Sequence, residues 1–222
     1  MKISIINGSP KGKKSASQMI INSMRDSFAR IDDANSQGKL EICELLVNKD
    51  KPQCEISNIF DSDALVLVFP LYVDGIPGHL LGFLAELEAS SYKFTRADGK
   101  PIKVYAVSNC GFYEGEQANV ALDIVRNWSN KLGLCYCGGI GIGGGGALQA
   151  FENMKAGRGP RAPIDNKLSS LVDSIISGNS LEKNTYISIG MPRGLYMFGS
   201  HSGWRRSVKA NGLKPKDLNR QL

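Results

Sequence analysis

Histidine is nearly absent from this chain: His79 and His201 are the two in 222 residues. A hydrolase built on a Ser-His-Asp triad matches that supply poorly, and a zinc centre would have to draw on cysteine. The five cysteines, Cys43, Cys54, Cys110, Cys135 and Cys137, are odd in number and scattered. Cys135-Tyr136-Cys137 is not a CxxC pair and no second pair stands at metal-ligand spacing, so no metal site is expected. Free thiols in a reducing compartment account for these residues better than disulfides do. Long apolar runs are missing too. The longest, Ala64 to Phe69, is far shorter than the roughly 20 residues that cross a bilayer. Met1-Lys2 leads through four strand-like residues to Asn7-Gly8, which is no signal peptide and predicts a cytoplasmic protein. A general basic excess is also lacking. The net charge is +6, yet from Thr185 onward seven Lys or Arg face one acid, Asp217, so the tail carries the whole surplus. With a neutral body, nucleic-acid partners are not expected.

What remains is a globular composition, 42% hydrophobic and 22% charged, in a chain able to bury roughly 70% of its unfolded surface without staples. Apolar runs at Ile3 to Ile6, Leu40 to Val47, Ala64 to Phe69, Ile102 to Val107 and within Leu134 to Ile142 predict five strands. Between them, helical spacing recurs in Ile20, Met24, Phe28 and Ile31, then in Leu80, Leu81, Leu84 and Leu87. It recurs again in Ala121, Ile124, Val125, Trp128 and Leu132, and in Ile164, Leu168, Leu171, Ile175 and Ile176, with Gly178 placed to end the last helix. Residues 48 to 60 read as a short helix or mostly loop. Strands alternating with helices predict an α/β parallel sheet covered on both faces, a three-layer sandwich. The predicted division is a domain over 1–178 and a basic, aromatic extension over 179–222.

Ligands of such sheets bind where strands end and strand order reverses. The first strand ends in Asn7-Gly8-Ser9-Pro10-Lys11-Gly12-Lys13-Lys14-Ser15-Ala16-Ser17. Hydroxyls, lysines, backbone amides and a helix start make this a phosphate site. It is not a Walker A loop, because Gly8 and Gly12 have only three residues between them. Helix capping by Ser15 or Ser17 is the plainer role, and the two are compatible. The third strand runs into Phe69-Pro70-Leu71-Tyr72-Val73-Asp74-Gly75, the fourth into Ser108-Asn109-Cys110-Gly111-Phe112. Both loops are apolar with small residues, suited to holding a flat ring.

These three loops, taken together with Gly75-Ile76-Pro77, resemble the NAD(P)H-dependent FMN reductase group of the flavodoxin-like superfamily over residues 1–178. The resemblance implies a five-stranded parallel sheet of order 2-1-3-4-5 with FMN at its switch point. It implies Ser9, Lys11, Ser15 and Ser17 around the FMN phosphate, and Pro70, Leu71, Tyr72 and Val73 along the isoalloxazine and ribityl side. Asn109, Cys110, Gly111 and Phe112 would meet the far edge of the ring through backbone and apolar contacts, Cys110 chiefly filling space. The implied activity passes electrons from NADH or NADPH through FMN to a flavin, quinone, nitro or azo compound, or metal ion. The chemistry is flavin-borne, so no catalytic side chain is expected, and the arginine surplus favours NADPH. The group's iron–sulfur relatives carry a compact cysteine cluster between the second and third strands; Cys43 and Cys54 here are eleven positions apart, and no cluster is expected. The threonine-rich phosphate loop and acidic charge of flavodoxin carriers are also missing, which favours a reductase. A carrier or redox-sensing protein is the alternative.

Gly139-Ile140-Gly141-Ile142-Gly143-Gly144 satisfies GxGxxG, but at the fifth strand, and Asp165 is a poor match for the ribose acid. A loop admitting substrate, or close backbone packing, are the readings in its place. The extension interleaves Tyr196, Phe198 and Trp204 with arginines. Packing on a partner subunit in a homodimer leads for it, ahead of an anionic cofactor phosphate or a membrane surface.

Overall fold

Two faces of apolar side chain on nearly every strand force helices onto both sides of the sheet, and the computed structural model has that arrangement. It describes residues 1–34, 39–47, 59–90 and 98–219. Its strands are β1 (Lys2–Asn7), β2 (Glu41–Leu46), β3 (Ala64–Pro70), β4 (Lys103–Asn109), β5 (Cys135–Gly143) and β6 (Thr185–Ser188). All pairings are parallel and the order is β2-β1-β3-β4-β5-β6. The order expected from the resemblance is present, with one correction: the sheet has six strands, not five. β6 lies in the stretch assigned from sequence to the extension. It is four residues long and half-buried throughout, so it lacks the continuous apolar run that marks a central strand.

The longer helices among the described residues are α1 (Ala16–Ala34), α2 (Gly78–Ala89), α3 (Asn119–Lys131), α4 (Ala162–Ser177) and α5 (Arg193–Ala210). Helices α1 and α4 pack together on one face of the sheet, burying Ile20, Met24, Phe28, Leu168, Leu171 and Ile175. On the other face, Leu80, Phe83, Leu84 and Leu87 of α2 and Ala121, Leu122, Val125 and Trp128 of α3 share one cluster with Leu65, Leu67, Val104 and Ala106. The Trp128 indole N–H donates to the Leu84 carbonyl at 3.2 Å, so the largest side chain of this cluster leaves no unmet donor. Leu81, grouped with that stripe by spacing, is instead 52% exposed. Gly178 ends α4 in the left-handed conformation, φ 65°, as its position predicts.

The chain forms two compact units, Met1–Ile189 and Gly190–Leu222. The second holds α5 and a short 3-10 turn, Pro215–Asn219, whose start is tied by the Lys214 amide to the Asp217 carboxylate at 2.8 Å. Phe198 and Trp204 of α5 are exposed. No described helix is long and apolar enough to cross a membrane. Cys54 and residues 48–58, read from sequence as short helix or loop, lie outside the described residues.

Candidate functional site

Strand order reverses between β1 and β3, since β1 is followed in sequence by its neighbour on one side and in space by β3 on the other. At the carboxyl ends of these strands lies a cleft of about 180 Å³. That is below the roughly 300–1,000 Å³ of a pocket that engulfs a drug-sized ligand, so a larger molecule would lie partly outside it.

The first wall is the loop after β1. Asn7, fully buried, anchors it: its side-chain carbonyl accepts the Ser9 amide at 3.0 Å and its amide donates to Gln18 at 2.8 Å. Gln18 in turn donates to Glu44 of β2 at 2.8 Å, and Arg25 closes the chain on Glu44 at 3.2 Å. Ser15 is the helix cap. Its hydroxyl donates to the Gly12 carbonyl at 2.6 Å and accepts the Gln18 amide at 3.1 Å. The Ala16 and Ser17 amides stand in the first turn of a 19-residue helix, where no intrahelical acceptor exists. Both residues line the cleft with Ser9, Lys11 and Ser15. Partial positive charge at the helix start, a lysine and buried hydroxyls converge there, which is an arrangement for an anion.

The second wall comes from β3 and β4. Asn109, 5% exposed, ties three elements together. Its side-chain amide donates to Ser17 at 2.9 Å and to the Phe69 carbonyl at 3.1 Å, and its own carbonyl accepts the Leu71 amide at 2.8 Å. Ser17 thereby keeps its hydroxyl proton for a ligand. Pro70, Leu71, Tyr72, Cys110 and Gly111 complete this side. Burial, helped by Glu114 and Glu116, pushes the Cys110 thiol up from its ordinary value. It therefore stays protonated at neutral pH, 3.7 and 3.6 Å from the Phe112 and Glu114 carbonyls.

The structure thus brings ten of the twelve sequence-derived residues to one cleft: Ser9, Lys11, Ser15, Ser17, Pro70, Leu71, Tyr72, Asn109, Cys110 and Gly111. Val73 and Phe112 do not line it. Val73 is fully exposed and Phe112 is 55% exposed. Val73 and Asp74 occupy the turn that Tyr72 and Gly75 close, with φ of 47° and 58°, a strained conformation for a β-branched residue.

Sequence reasoning did not assign Ala16, Gly145, Gly146 and Gln149, which also line the cleft. The glycine run after β5 was the available signal for two of them. Gly145 donates to the Cys110 carbonyl at 2.7 Å, and a Cβ there would stand 3.0 Å from the Asn109 side-chain oxygen. Gln149 reaches back to the Lys14 carbonyl at 2.9 Å, a meeting that no local pattern announces. The same glycines dispose of the GxGxxG pattern. A Cβ at Gly143 would overlap the Tyr113 carbonyl, and one at Gly141 would stand 2.7 Å from the Tyr186 ring. Close packing of backbone is what these positions require. Asp165, the weak ribose candidate, is taken up by Arg161 at 2.9 Å, by Ser23 at 3.0 Å and by the Gly157 amide at 2.8 Å.

No protein-family model and no curated protein match the chain in sequence. Solved structures share its fold. The flavodoxin of Streptococcus pneumonia TIGR4 superposes with a TM-score of 0.54 at 10% identity, over 80% of this chain and 99% of that one. The FMN-dependent NADH-azoreductase of Bacillus anthracis str. Ames Ancestor, in complex with FMN, does so at 0.54 and 13%, over 79% and 99%. The Trp repressor binding protein of Bacillus subtilis gives 0.51 at 14%, over 78% and 97%. The chain has the flavodoxin-like fold.

Proposed function

We propose that this chain binds FMN in the cleft and acts as an NAD(P)H-dependent oxidoreductase with a small electron acceptor: a flavin, quinone, nitro or azo compound, or metal ion. The observation that carries this reading is the meeting of an anion-binding helix start and two apolar loops in one cleft at the strand-order reversal. The donor set fits FMN on its own chemistry. Amides of the first turn of α1, the Ser9 and Ser17 hydroxyls and Lys11 suit a phosphate dianion. Pro70, Leu71 and Tyr72 suit the apolar ring beside it. The fold shared with an FMN-dependent NADH-azoreductase supports the same reading by analogy.

FMN, when bound, supplies hydride acceptance from a nicotinamide and onward release of the electrons. The chain's own work is binding, orientation and exclusion of water. Asn109 holds the ends of β3, β4 and α1 in fixed relation, so the two walls keep their spacing without a ligand to template them. Gly145 and Gly111 leave backbone, not side chain, facing the cleft, which lets a flat ring approach closely. Neither histidine is among the described residues that line the cleft, and burial pushes the Cys110 thiol up, which supports a reaction carried by the flavin without a side-chain base or nucleophile. We also propose the cytoplasm as the compartment and a homodimer as the working form, with the basic extension against the partner subunit.

An anaerobic visible spectrum of FMN-loaded protein, before and after NADPH or NADH, tests the reading. A retained flavin band that bleaches with a nicotinamide is the expected result. A band that persists with both donors overturns the reductase assignment in favour of an electron carrier. No retained flavin overturns FMN binding itself.

A further inference from the structure

At the opposite end of the sheet from the cleft, β5 begins with two cysteines whose side chains meet. Parallel pairing of β4 with β5 slips between Val104 and Tyr105: Val104 stands across from Tyr136 and Tyr105 across from Gly138. Cys137 is the extra residue of this bulge, and bulges re-aim side chains. The result is a Cys135–Cys137 sulfur separation of 3.8 Å. Cys137 is 1% exposed, while Cys135 is only partly buried. Solvent reaches the pair at Cys135, since beside Cys137 the edge of β5 is taken by the Leu181 amide, which donates to the Cys137 carbonyl at 2.7 Å.

Two sulfurs each about 2.3 Å from one tetrahedral ion lie about 3.8 Å apart. The observed separation matches that bite without movement, whereas a disulfide would need the sulfurs at about 2.05 Å. We infer that Cys135 and Cys137 form a two-thiolate site for a soft divalent d10 cation. As the ion binds, each thiol releases its proton to solvent, so two protons leave and one doubly charged ion enters. The site stays neutral, which matters where one ligand is wholly buried. Among the described residues no third His, Cys, Asp or Glu joins the pair. Water or a small-molecule thiol fills the remaining positions, and the site is one for capture, not a structural staple. The assignment is independent of the flavin reading.

Titration of the full-length, chelator-treated protein with Cd²⁺ alone tests it, followed by ultraviolet thiolate-to-metal charge transfer. One tight equivalent is expected, with at least the roughly 10–100-fold loss of affinity known for a disturbed metal shell in both Cys135→Ser and Cys137→Ser. Cys43→Ser, on β2 and outside both sites, should bind as the parent does. Unchanged affinity in the two β5 variants, or no charge-transfer band in the parent, would overturn the site. Should Cys137→Ser fail to fold, as judged by circular dichroism, Cys135→Ser at the more open position decides the question alone.

Discussion

Lys11 and Ser15 sit four positions apart in one loop and answer to different forces. Ser15 is buried, and both its hydrogen bonds are made within the loop and the first turn of α1. Lys11 is exposed at the mouth of the cleft. Replacing Ser15 with Ala removes a helix cap, so it should destabilise the flavin-free protein by about 1 kcal/mol, seen as a melting point lower by roughly 2–4 °C. Lys11→Ala should leave that melting point alone and weaken FMN binding about tenfold, with a shallower dependence of affinity on salt than in the parent. Thermal melts without flavin and FMN titrations at two salt concentrations separate the two. Equal losses of stability in both variants would contradict this division of labour between the two side chains.

Between β5 and α4, the backbone is held by a buried ion pair as well as by the buried Leu148. Arg161 lies against Asp165 and also donates to Ser23 of α1 at 2.8 Å and to the Met154 carbonyl at 3.3 Å. The side chains of the pair are 11% and 9% exposed. Charges so far from water are tolerable only while both are present. Arg161→Met should therefore cost about 3–5 kcal/mol in denaturant unfolding, because it leaves Asp165 buried without its cation, and pairing it with Asp165→Leu should recover much of that loss. A single variant within about 0.5 kcal/mol of the parent would show the pair to be dispensable. Gly145, Gly146 and Gln149 of the cleft lie on the same stretch of chain between β5 and α4 that this pair closes.

For the whole molecule the question is where the folding unit ends. Residues 179–189 make several ties to the body. The Asn179 carbonyl accepts the Tyr105 hydroxyl at 2.9 Å, Leu181 donates to the Cys137 carbonyl at 2.7 Å, and Asn184 accepts from Tyr136 at 2.9 Å and from the Gly139 amide at 3.0 Å. β6 then pairs along β5. A chain ending after Ile189 should unfold in one cooperative transition. One ending after Gly178 would open the glycine-rich edge of β5 and should lose several kcal/mol or fail to stay soluble. Equal stability of the two truncations, measured by urea unfolding, would place the boundary at 178.

Much of this architecture is written in short-range pattern. Alternating strand and helix periods, the Gly-Ser-Pro-Lys loop and the helix-ending Gly178 are each produced by neighbours within a few residues, so composition and spacing carry them before any folding takes place. The three loops that supply ten cleft residues are legible in the same way, because strand ends in a parallel sheet are obliged to share one edge, while the individual residues followed from the resemblance to the FMN reductase group. Other features arise only from meetings across the chain. Asn109 finds Ser17 at a distance of 92 positions. Gln149 finds Lys14 at 135, and Arg161 finds Ser23 at 138. β6 is too short and too evenly half-buried to declare itself, and becomes a strand because β5 offers it an edge. The approach of Cys135 to Cys137 depends on a one-residue slip against β4. Local pattern encodes which elements form; contacts between distant segments decide how those elements are registered, because only the packed sheet brings such side chains within reach of one another.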